Sequence, residues 1–254
     1  TNWTSLASFE FALPNNDVQL KIVEVLNHFD QLAERYSDAL ARLSQLKVSL
    51  AQDEFVDSDV PAVTLNQLCN KSGIQIGPFG AQLHSHDYVA DGVPVVMPAD
   101  MANGKVVLDR IARVSEAKAS ELEQHKVRRD DILLPRRGEL DRRAWVSEDE
   151  EGWLCGTGSI RIRVTDNVNP RAVFYALSMP ATVAWLKANA VGTTMPNLNS
   201  KIVASIPIKL PHPDRLNDVV NALDDLDCSL RDLISRLQAA SNMRSQLLNT
   251  VWGE

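Results

Sequence analysis

The stretch ASFEFALPNNDVQLKIVEVLNHFDQLAERYSDALARLSQLKVSL (residues 7–50) has a second copy in this chain. It aligns without a gap on residues 204–247, at a constant offset of 197 positions. Identical pairs include Leu13 with Leu210, Asp30 with Asp227, and Leu50 with Leu247. Each copy contains one long amphipathic segment, so the repeat predicts two similar helices that bracket the rest of the chain.

The apolar residues of the first copy follow alternating steps of four and three, which is a heptad pattern. A helix of about 35 residues would be roughly 50 Å long. Because the copies match in length and period, we expect the two helices to pack on each other, with packing on the chain's own domain as the alternative. We predict N-caps at Asp17 and Asp214. The predicted contact positions are Val18, Ile22, Val25, Phe29, Leu32, Tyr36, Ala39, Leu43, Leu46 and Leu50 in the first copy, and Val219, Ala222, Leu226, Ser229, Leu233, Ala240, Met243 and Leu247 in the second, with Arg236 at the position of Ala39.

Between the copies, prolines, glycines and short β-branched runs indicate a mixed α/β domain of normal size. Predicted strands are Val93–Met97, Ile132–Leu134, Ser159–Val164 and Ile202–Ile208, and predicted helices are Ser115–Gln124 and Arg171–Asn189. The resulting prediction is an α+β protein with a remnant strand of a preceding half at 1–12, a first helix at 13–54, the α/β domain at 55–209 and a second helix at 210–254. Phe9–Leu13 matches the strand before the second helix, and no domain or initiator Met precedes it, so we expect the back part of something longer.

Composition favours a soluble globular protein, with 44% hydrophobic and 23% charged residues. No apolar run approaches the roughly 20 residues of a spanning helix, and the polar start does not resemble a signal peptide. We therefore expect a cytoplasmic protein without a membrane partner. Cys69, Cys155 and Cys228 are odd in number and widely spaced, which predicts reduced thiols with a structural role.

The net charge of −7 is unevenly distributed. Residues 57–209 contain 18 Lys or Arg and 18 Asp or Glu, which leaves 8 basic and 15 acidic residues in the flanking segments. The acidity therefore belongs to the helices. A neutral domain with clustered arginines can still present a basic face to DNA.

Three motifs suggest catalysis or ligand binding but are weak. Gly156-Thr157-Gly158 lacks a third glycine and precedes an alternating strand instead of a helix, which disfavours a dinucleotide site. Asp100, Glu116 and Lys118 match the spacing of a nuclease, although Glu116 and Lys118 open a predicted helix where that chemistry requires a strand. His84 and His86 lack the further ligands of a metal site. We predict no catalytic residue, metal or cofactor in this chain.

Polar loops with DNA-contacting side chains remain as the candidate site. Arginine forks match phosphates and guanine edges, and carboxamides, hydroxyls and imidazoles can read base edges. Each loop alone has the alternative of a solvated turn. The candidates are Gln82, His84, Ser85, His86, Tyr88, Lys105, Arg136, Arg137, Arg142, Arg143, Thr193, Thr194, Asn197, Asn199 and Lys201. Tyr88 could stack or only pack.

The ordered series GPFGAQL, DDILLPRRGELDRRA, GTGSIRIRV and GTTMPNLNSKIVASIPIKLP, followed by a long helix, resembles the specificity subunits of type I restriction-modification enzymes. The resemblance implies one DNA target-recognition domain flanked by two spacer helices that form an antiparallel coiled coil and set the distance between half-sites. It covers nearly the whole chain, but a first recognition domain is lacking. The Glu-Gln usual near the start of each spacer helix is Val18-Gln19 and Arg215-Leu216 here.

The resemblance also implies the partners. A specificity subunit binds double-stranded DNA and docks methyltransferase subunits, which use S-adenosylmethionine. Through them it meets the restriction subunit, which uses ATP and Mg. A second specificity chain, or the missing half, is a further expected partner. The alternatives are a coiled-coil adaptor whose α/β domain binds protein, and a nuclease acting through Asp100, Glu116 and Lys118.

Overall fold

The computed structural model describes residues Trp3, 13–192 and 197–252. The helices are α1 Asn16–Phe55, α2 Glu116–Glu121, α3 Pro170–Ser178, α4 Pro180–Asn189, α5 Ser200–Ala204 and α6 Leu216–Trp252. The strands are β1 Val63–Thr64, β2 Cys69–Ile76, β3 Tyr88–Val89, β4 Val93–Val96, β5 Met101–Ala102, β6 Lys105–Val106, β7 Ala112–Val114, β8 Ile132–Pro135, β9 Ala144–Trp145, β10 Leu154–Cys155, β11 Ser159–Val164 and β12 Pro207–Ile208. The fold is α+β, as predicted. Two compact units are present: a helix-pair unit up to Leu50 and from Asn221 onward, and an α/β unit, Ala51–Val220.

The two long helices form where the repeat predicted them, with 40 residues in α1 and 37 in α6. Their predicted caps are wrong. The backbone N–H of Val18 donates to Asn15 Oδ1 at 3.0 Å, so Asn15 caps α1 and Asp17 lies in the first turn. Helix α6 begins two residues after Asp214.

Two ion pairs join the helices in antiparallel order. Lys47 Nζ contacts the Asp227 carboxylate, and Arg244 Nε lies 3.1 Å from Asp30 Oδ1. Since lower numbers on α1 meet higher numbers on α6, the predicted antiparallel packing of the helices is confirmed. The repeat offset of 197 converts Asp30 into Asp227 and Lys47 into Arg244. The two ion pairs are therefore one contact made twice, and the helix pair has an approximate two-fold axis.

The line of contact differs from the predicted one at alternate positions. The buried and half-buried residues include Ile22, Leu26, Phe29, Ala33, Tyr36, Leu40, Leu43, Lys47 and Leu50 on α1, and Leu223, Leu226, Leu230, Leu233, Leu237, Ala240, Arg244 and Leu247 on α6. The predictions for Val18, Val25, Leu32, Leu46, Ser229, Arg236 and Met243 are wrong, because these side chains are exposed. Helix α1 carries apolar residues on two adjacent lines. The line that is buried matches the leucines of α6, so burial of apolar area from both helices selects it.

Two four-stranded sheets organise the α/β unit, with strand orders β10-β4-β7-β3 and β2-β11-β8-β9. Residues from both sheets meet in one buried cluster, in which Val96 and Cys155 of the first sheet lie with Leu133 and Ala144 of the second. Burial of these side chains stabilises the unit by about 25 cal/mol for each Å² of apolar surface removed from water. The shared core fixes the position of the strand ends that carry the polar loops.

Several predicted elements of the α/β unit are confirmed and two are wrong. Strand Ser159–Val164 has the predicted bounds, and Ser115 caps α2 by accepting from the Lys118 N–H at 3.2 Å. The helix predicted over Arg171–Asn189 is divided into α3 and α4, because Pro180 lacks the N–H that would continue it. The predicted strand Ile202–Ile208 is wrong over its first part, which forms α5, and only Pro207–Ile208 is extended. Most of the predicted strand Phe9–Leu13 lies outside the described residues.

The three cysteines are free thiols, as predicted, with Cys155 buried and Cys69 half-buried. The predicted structural role is wrong for Cys228, because it is exposed. Within the described ranges, no helix combines the length and apolar character needed to cross a bilayer.

Candidate nucleic-acid interface

Two of the predicted loops, together with the turn 156–158 that was not among the predictions, leave the same end of the sheet β2-β11-β8-β9. Ile76 at the end of β2 lies opposite Ile160, and Pro135 at the end of β8 lies opposite Ser159. On the other side of β8, Leu133 pairs with Ala144 at the start of β9. The antiparallel register therefore collects the loops 77–87, 136–143 and 156–158 at one edge of the α/β unit.

Backbone hydrogen bonds hold these loops together and add a fourth segment. Gly77 N donates to Ser159 O at 2.9 Å, and Arg136 N donates to Gly158 O at 2.6 Å. Leu198 N donates to Arg136 O at 2.7 Å, which brings residues 197–199 to the same edge. The loops are thus fixed by main-chain contacts, which leaves side chains available for a partner.

Arg136 and Arg137 have different environments. Arg136 is half-buried, and its Nε donates to Asn197 Oδ1 at 3.1 Å and to Leu198 O at 3.2 Å. Arg137 is exposed and is followed by Gly138, whose φ of +82° suits a tight turn. Arg136 therefore braces the loop, while Arg137 presents its guanidinium to solvent.

Arg142 and Arg143 are half-buried and are engaged with the protein. Arg142 Nε lies 2.6 Å from Glu139 Oε2, and this hydrogen bond raises the pKa of Arg142. Arg143 Nη1 donates to Asp141 O at 3.1 Å, and its guanidinium carbon lies 6.0 Å from the Phe174 ring centroid. The hairpin between β8 and β9 thus carries one arginine with a carboxylate partner and one beside an aromatic ring.

The histidine loop is ordered by an acidic residue. Asp87 Oδ2 accepts from the His84 N–H at 2.7 Å, which holds the pKa of Asp87 below its usual range. The rings of His84 and His86 stack with centroids 5.2 Å apart, and both are exposed. Lys118 Nζ lies 3.7 Å from Asp87 Oδ1. The two imidazoles form a flat polar surface at the loop tip.

Tyr88 and Gln82 flank this surface. Tyr88 is half-buried, and burial raises the pKa of its phenol while a hydrogen bond with the Thr157 side chain opposes the shift. Thr157 Oγ1 also donates to Pro78 O at 2.9 Å, which links the loops 77–87 and 156–158. Gln82 is exposed, and its Oε1 accepts weakly from Phe79 N at 3.4 Å.

The remaining candidates are dispersed. Ser85, Lys105 and Lys201 are exposed, Lys105 on the short hairpin β5-β6 and Lys201 on α5. Asn199 caps α5, since its Oδ1 accepts from Ile202 N at 2.9 Å. Thr193 and Thr194 lie outside the described residues.

The nuclease alternative gains no support from the geometry. Glu116 and Lys118 lie on helix α2, and Lys118 Nζ contacts Glu121 at 3.1 Å in addition to Asp87. Asp100 accepts from Met97 N at 2.8 Å, and burial raises its pKa. Among residues 13–192 and 197–252, no group of three His, Cys, Asp or Glu is placed to hold a metal ion.

A buried polar cluster behind the sheet was missed in the sequence. Arg163 donates to both oxygens of Asp131, at 2.7 and 2.6 Å, and Asp131 is 1% exposed. Arg161 donates to Lys126 O at 3.2 Å and Ser72 O at 3.1 Å, and burial lowers its pKa, with the charge of Arg163 adding to the effect. The alternation in SIRIRV contained the signal, because residues 161 and 163 of one strand share a face.

An aromatic cage around Arg171 was also missed. The guanidinium carbon lies 4.7 to 5.0 Å from the ring centroids of Trp145, Phe174 and Tyr175. Arg171 lies three and four residues before Phe174 and Tyr175 on α3, so the three side chains share one helix face. An arginine at this spacing from two aromatic residues was the sequence signal for a cation–π contact.

The sequence matches a family model for the type I restriction modification DNA specificity domain over residues 60–240. Because the match covers most of the chain, the chain belongs to this family of specificity domains. The type I restriction enzyme EcoBI specificity subunit of Escherichia coli is 22% identical over 166 residues, which are 64% of this chain and 35% of that protein.

Solved structures show the same fold. The S subunit of a type I restriction-modification system from M. genitalium aligns with a TM-score of 0.63 and 18% identity, over 94% of this chain and 62% of its own. The HsdS subunit from Thermoanaerobacter tengcongensis aligns with a TM-score of 0.59 and 16% identity, over 92% of this chain and 56% of its own. A third structure concerns complex assembly and conformational transition of the type I restriction-modification system. It aligns with a TM-score of 0.60 and 16% identity, over 92% of this chain and 58% of its own. The chain thus spans little more than half the length of these structural relatives.

Proposed function

We propose that this chain reads one half of a bipartite DNA site and docks the subunits that modify and cut the DNA. The observation that carries this proposal is the convergence of four polar loops at one end of the sheet β2-β11-β8-β9, with exposed Arg137 and the stacked pair His84 and His86 among them. Membership in the specificity-domain family supports it.

The loops offer both kinds of DNA contact. Arg137, Lys105 and Lys201 are exposed cations that suit phosphates, and Arg137 can also pair with a guanine edge. Gln82, with the two histidines, supplies donors and acceptors for base edges. Arg136 and Asn197 are hydrogen-bonded to each other, so we assign them to positioning the loop.

The helix pair serves protein partners in this proposal. Acidic helices would be repelled along a DNA backbone. Helix α1 also exposes apolar side chains that a protein surface can cover, namely Val18, Leu20, Val23, Val25, Leu32, Leu46 and Val48. We assign this surface to methyltransferase subunits that use S-adenosylmethionine, and through them to a restriction subunit that uses ATP and Mg.

The chain itself contributes recognition and no catalytic step in this proposal. Lys118 is the lysine of the nuclease alternative. It forms ion pairs with Asp87 and Glu121, and these contacts engage its ammonium group in the structure. Replacing Glu116 by Gln gives a direct test. Cleavage of DNA by the purified chain with Mg, abolished in Glu116→Gln, would show catalysis and contradict this assignment.

The recognised DNA site is found first, by mapping the bases that are methylated when the chain is co-expressed with a matching methyltransferase. DNA binding is then tested with that site. Affinity for a duplex containing that site is measured by fluorescence anisotropy between 50 and 200 mM salt, conditions over which a reader with several phosphate contacts weakens steeply. Loss of Arg137 should cost about 1–3 kcal/mol, or roughly 5- to 150-fold in affinity.

Arg129→Ala is the matched control. Arg129 is exposed, and it lies near Asp130 and Glu148 away from the loop edge. It should alter affinity by less than about two-fold. Absence of duplex binding, or affinity that does not change with salt, would contradict the proposal. The exposed apolar surface of α1 would then favour the adaptor hypothesis.

A further inference from the structure

The hairpin between β8 and β9 carries an exposed carboxylate, that of Glu139, at the edge where the polar loops meet. Its side chain is 68% exposed, while the next residue, Leu140, is 2% exposed and lies in the core. The Arg142 N–H donates to Glu139 O at 3.1 Å, which closes the turn. The backbone around Glu139 is therefore fixed from the inside, while its side chain is presented to solvent.

Arg142 fixes the orientation of this carboxylate. Its Nε donates to Glu139 Oε2 at 2.6 Å. Its Nη1 makes longer hydrogen bonds with Ala99 O at 3.4 Å and Met101 O at 3.5 Å, which lie 43 and 41 residues earlier in the chain. Exposed ion pairs are commonly loose, because holding two long side chains in one geometry costs entropy. Here a separate backbone segment holds the arginine, so the carboxylate is preorganised.

The carboxylate retains one acceptor for a partner. The hydrogen bond with Arg142 uses Oε2, and Oε1 has no hydrogen-bond partner among the described residues. A carboxylate repels phosphates and can only accept hydrogen bonds. Phosphates supply acceptors only, so the donors that a duplex offers to Oε1 lie on the edges of its bases.

The four bases differ in how their major-groove edges suit a carboxylate. Guanine presents two acceptors, N7 and O6, and thymine presents the acceptor O4 beside a methyl group. Adenine presents the N6 amino group as a donor, but its neighbouring acceptor N7 repels a carboxylate. Cytosine presents the N4 amino group without a neighbouring acceptor. A positioned carboxylate therefore favours cytosine.

We propose that Glu139 selects a cytosine in the recognised half-site by accepting a hydrogen bond from its N4 amino group in the major groove. This inference rests on the proposed DNA-binding function and names one base that the domain reads. Arg142 is a positioning residue, because it holds the carboxylate and offsets its charge. Exposed Arg137, two residues earlier, adds positive charge to the same hairpin.

The test uses the full chain and the methylated site, in duplexes that carry each of the four bases in turn at every position of the half-site. Fluorescence anisotropy should find a position at which cytosine is preferred over each other base by roughly 5- to 150-fold. Glu139→Ala should reduce this preference to less than about two-fold at that position only. Glu139→Gln should bind adenine there at least as well as cytosine, since a carboxamide matches N6 and N7 of adenine.

Arg142→Ala tests the positioning role. Glu139 then keeps its charge and loses its anchor, so the preference for cytosine should weaken at the same position. A merely structural role of Arg142 would lower the affinity for all duplexes by one factor and leave the base preference unchanged.

Asp141→Asn is the matched control. Asp141 is an exposed acidic residue of the same hairpin, so this variant removes an equal charge from a neighbouring position. It should change the affinity for all duplexes by the same factor and keep the preference for cytosine. Glu139→Gln retains an oxygen that can accept from Arg142 Nε, so its thermal midpoint should stay within about 3 °C of the parent. A loss of preference in this folded variant reports on recognition.

Three outcomes would overturn the inference while the proposed function stands. These are a methylated half-site without an invariant cytosine, an unchanged base preference in both Glu139 variants, and an equal change for all duplexes in Glu139→Gln and Asp141→Asn alike. Binding of no duplex, or an affinity that does not change with salt, would overturn the proposed function and this inference with it.

Discussion

Replacing Asp131 by Ala should strongly destabilise the α/β unit. The buried carboxylate of Asp131 accepts two hydrogen bonds from Arg163, at 2.7 and 2.6 Å, and one from the Arg128 N–H at 2.8 Å. Breaking a buried ion pair from one side typically costs about 3–5 kcal/mol, because the remaining charge keeps its desolvation penalty. The Arg163 side chain is 25% exposed, so water can solvate part of the freed guanidinium. We therefore expect the lower end of the range, about 3 kcal/mol.

Urea unfolding followed by far-UV circular dichroism measures this loss. With a slope of about 2 kcal/mol per M, a change of about 3 kcal/mol lowers the midpoint by roughly 1.5 M. Asp149→Ala is the control, because Asp149 is an exposed turn residue and should change the free energy of unfolding by less than about 0.5 kcal/mol. An Asp131→Ala variant within about 1 kcal/mol of the parent would refute the account of this cluster as a coupled buried ion pair.

Three further predictions concern pH, the helix pair and thiol reactivity. Burial holds the folded-state pKa of His125 below its ordinary value of 6.5. As pH drops through 6.5, the unfolded state therefore binds more protons than the folded state. The free energy of unfolding should fall as pH drops below 6.5, and a pH series of urea midpoints should show a weaker fall in His125→Leu. At the ion pair of Lys47 and Asp227, Lys47→Asp should lower the thermal midpoint, because two like charges then face each other. Adding Asp227→Lys in the same chain should restore the midpoint, with a change in the free energy of unfolding of about 0.2–1 kcal/mol. Additive losses in the double variant would contradict the pairing. A thiol-reactive dye at pH 8 should label exposed Cys228 first. It should label Cys155 only after denaturation, since burial raises the pKa of Cys155 to about 12. Mass spectrometry locates the dye, and label on Cys155 in the native protein would contradict its burial.

The helix pair shows both the strength and the limit of sequence periodicity. The repeat and its heptad steps predicted two long helices and their mutual packing, because a sustained 3.5-residue period has few other solutions. The choice between adjacent apolar lines failed, since Val25 and Leu26 are both suitable for burial. Only the partner helix, with Leu223 on the matching line, decides between them, and a single helix does not contain that information.

In the α/β unit, local signals predicted elements but not their contacts. Ser159–Val164 was found from its alternation, and Pro180 and the cap Asn199 were visible signals that the predictions for two other segments did not use. The meeting of loops from β2, β8 and β11 depends on strand order and register, which join residues distant in sequence. The burial of His125 was missed for the same reason, because it arises only when the turn after α2 packs beside β2.

The loops at the end of the sheet β2-β11-β8-β9 are joined by main-chain hydrogen bonds, such as Arg136 N to Gly158 O and Gly77 N to Ser159 O. The side chain of an exposed tip residue such as Arg137 takes no part in these bonds, so its identity can change while the anchoring bonds persist. Gly77 is fixed, since a Cβ there would overlap the Gly156 carbonyl oxygen. Under the proposed function, selection can therefore alter the preferred DNA sequence through a few exposed substitutions. The stability of the unit is determined elsewhere, by Leu133, Ala144 and the buried Asp131 with Arg163.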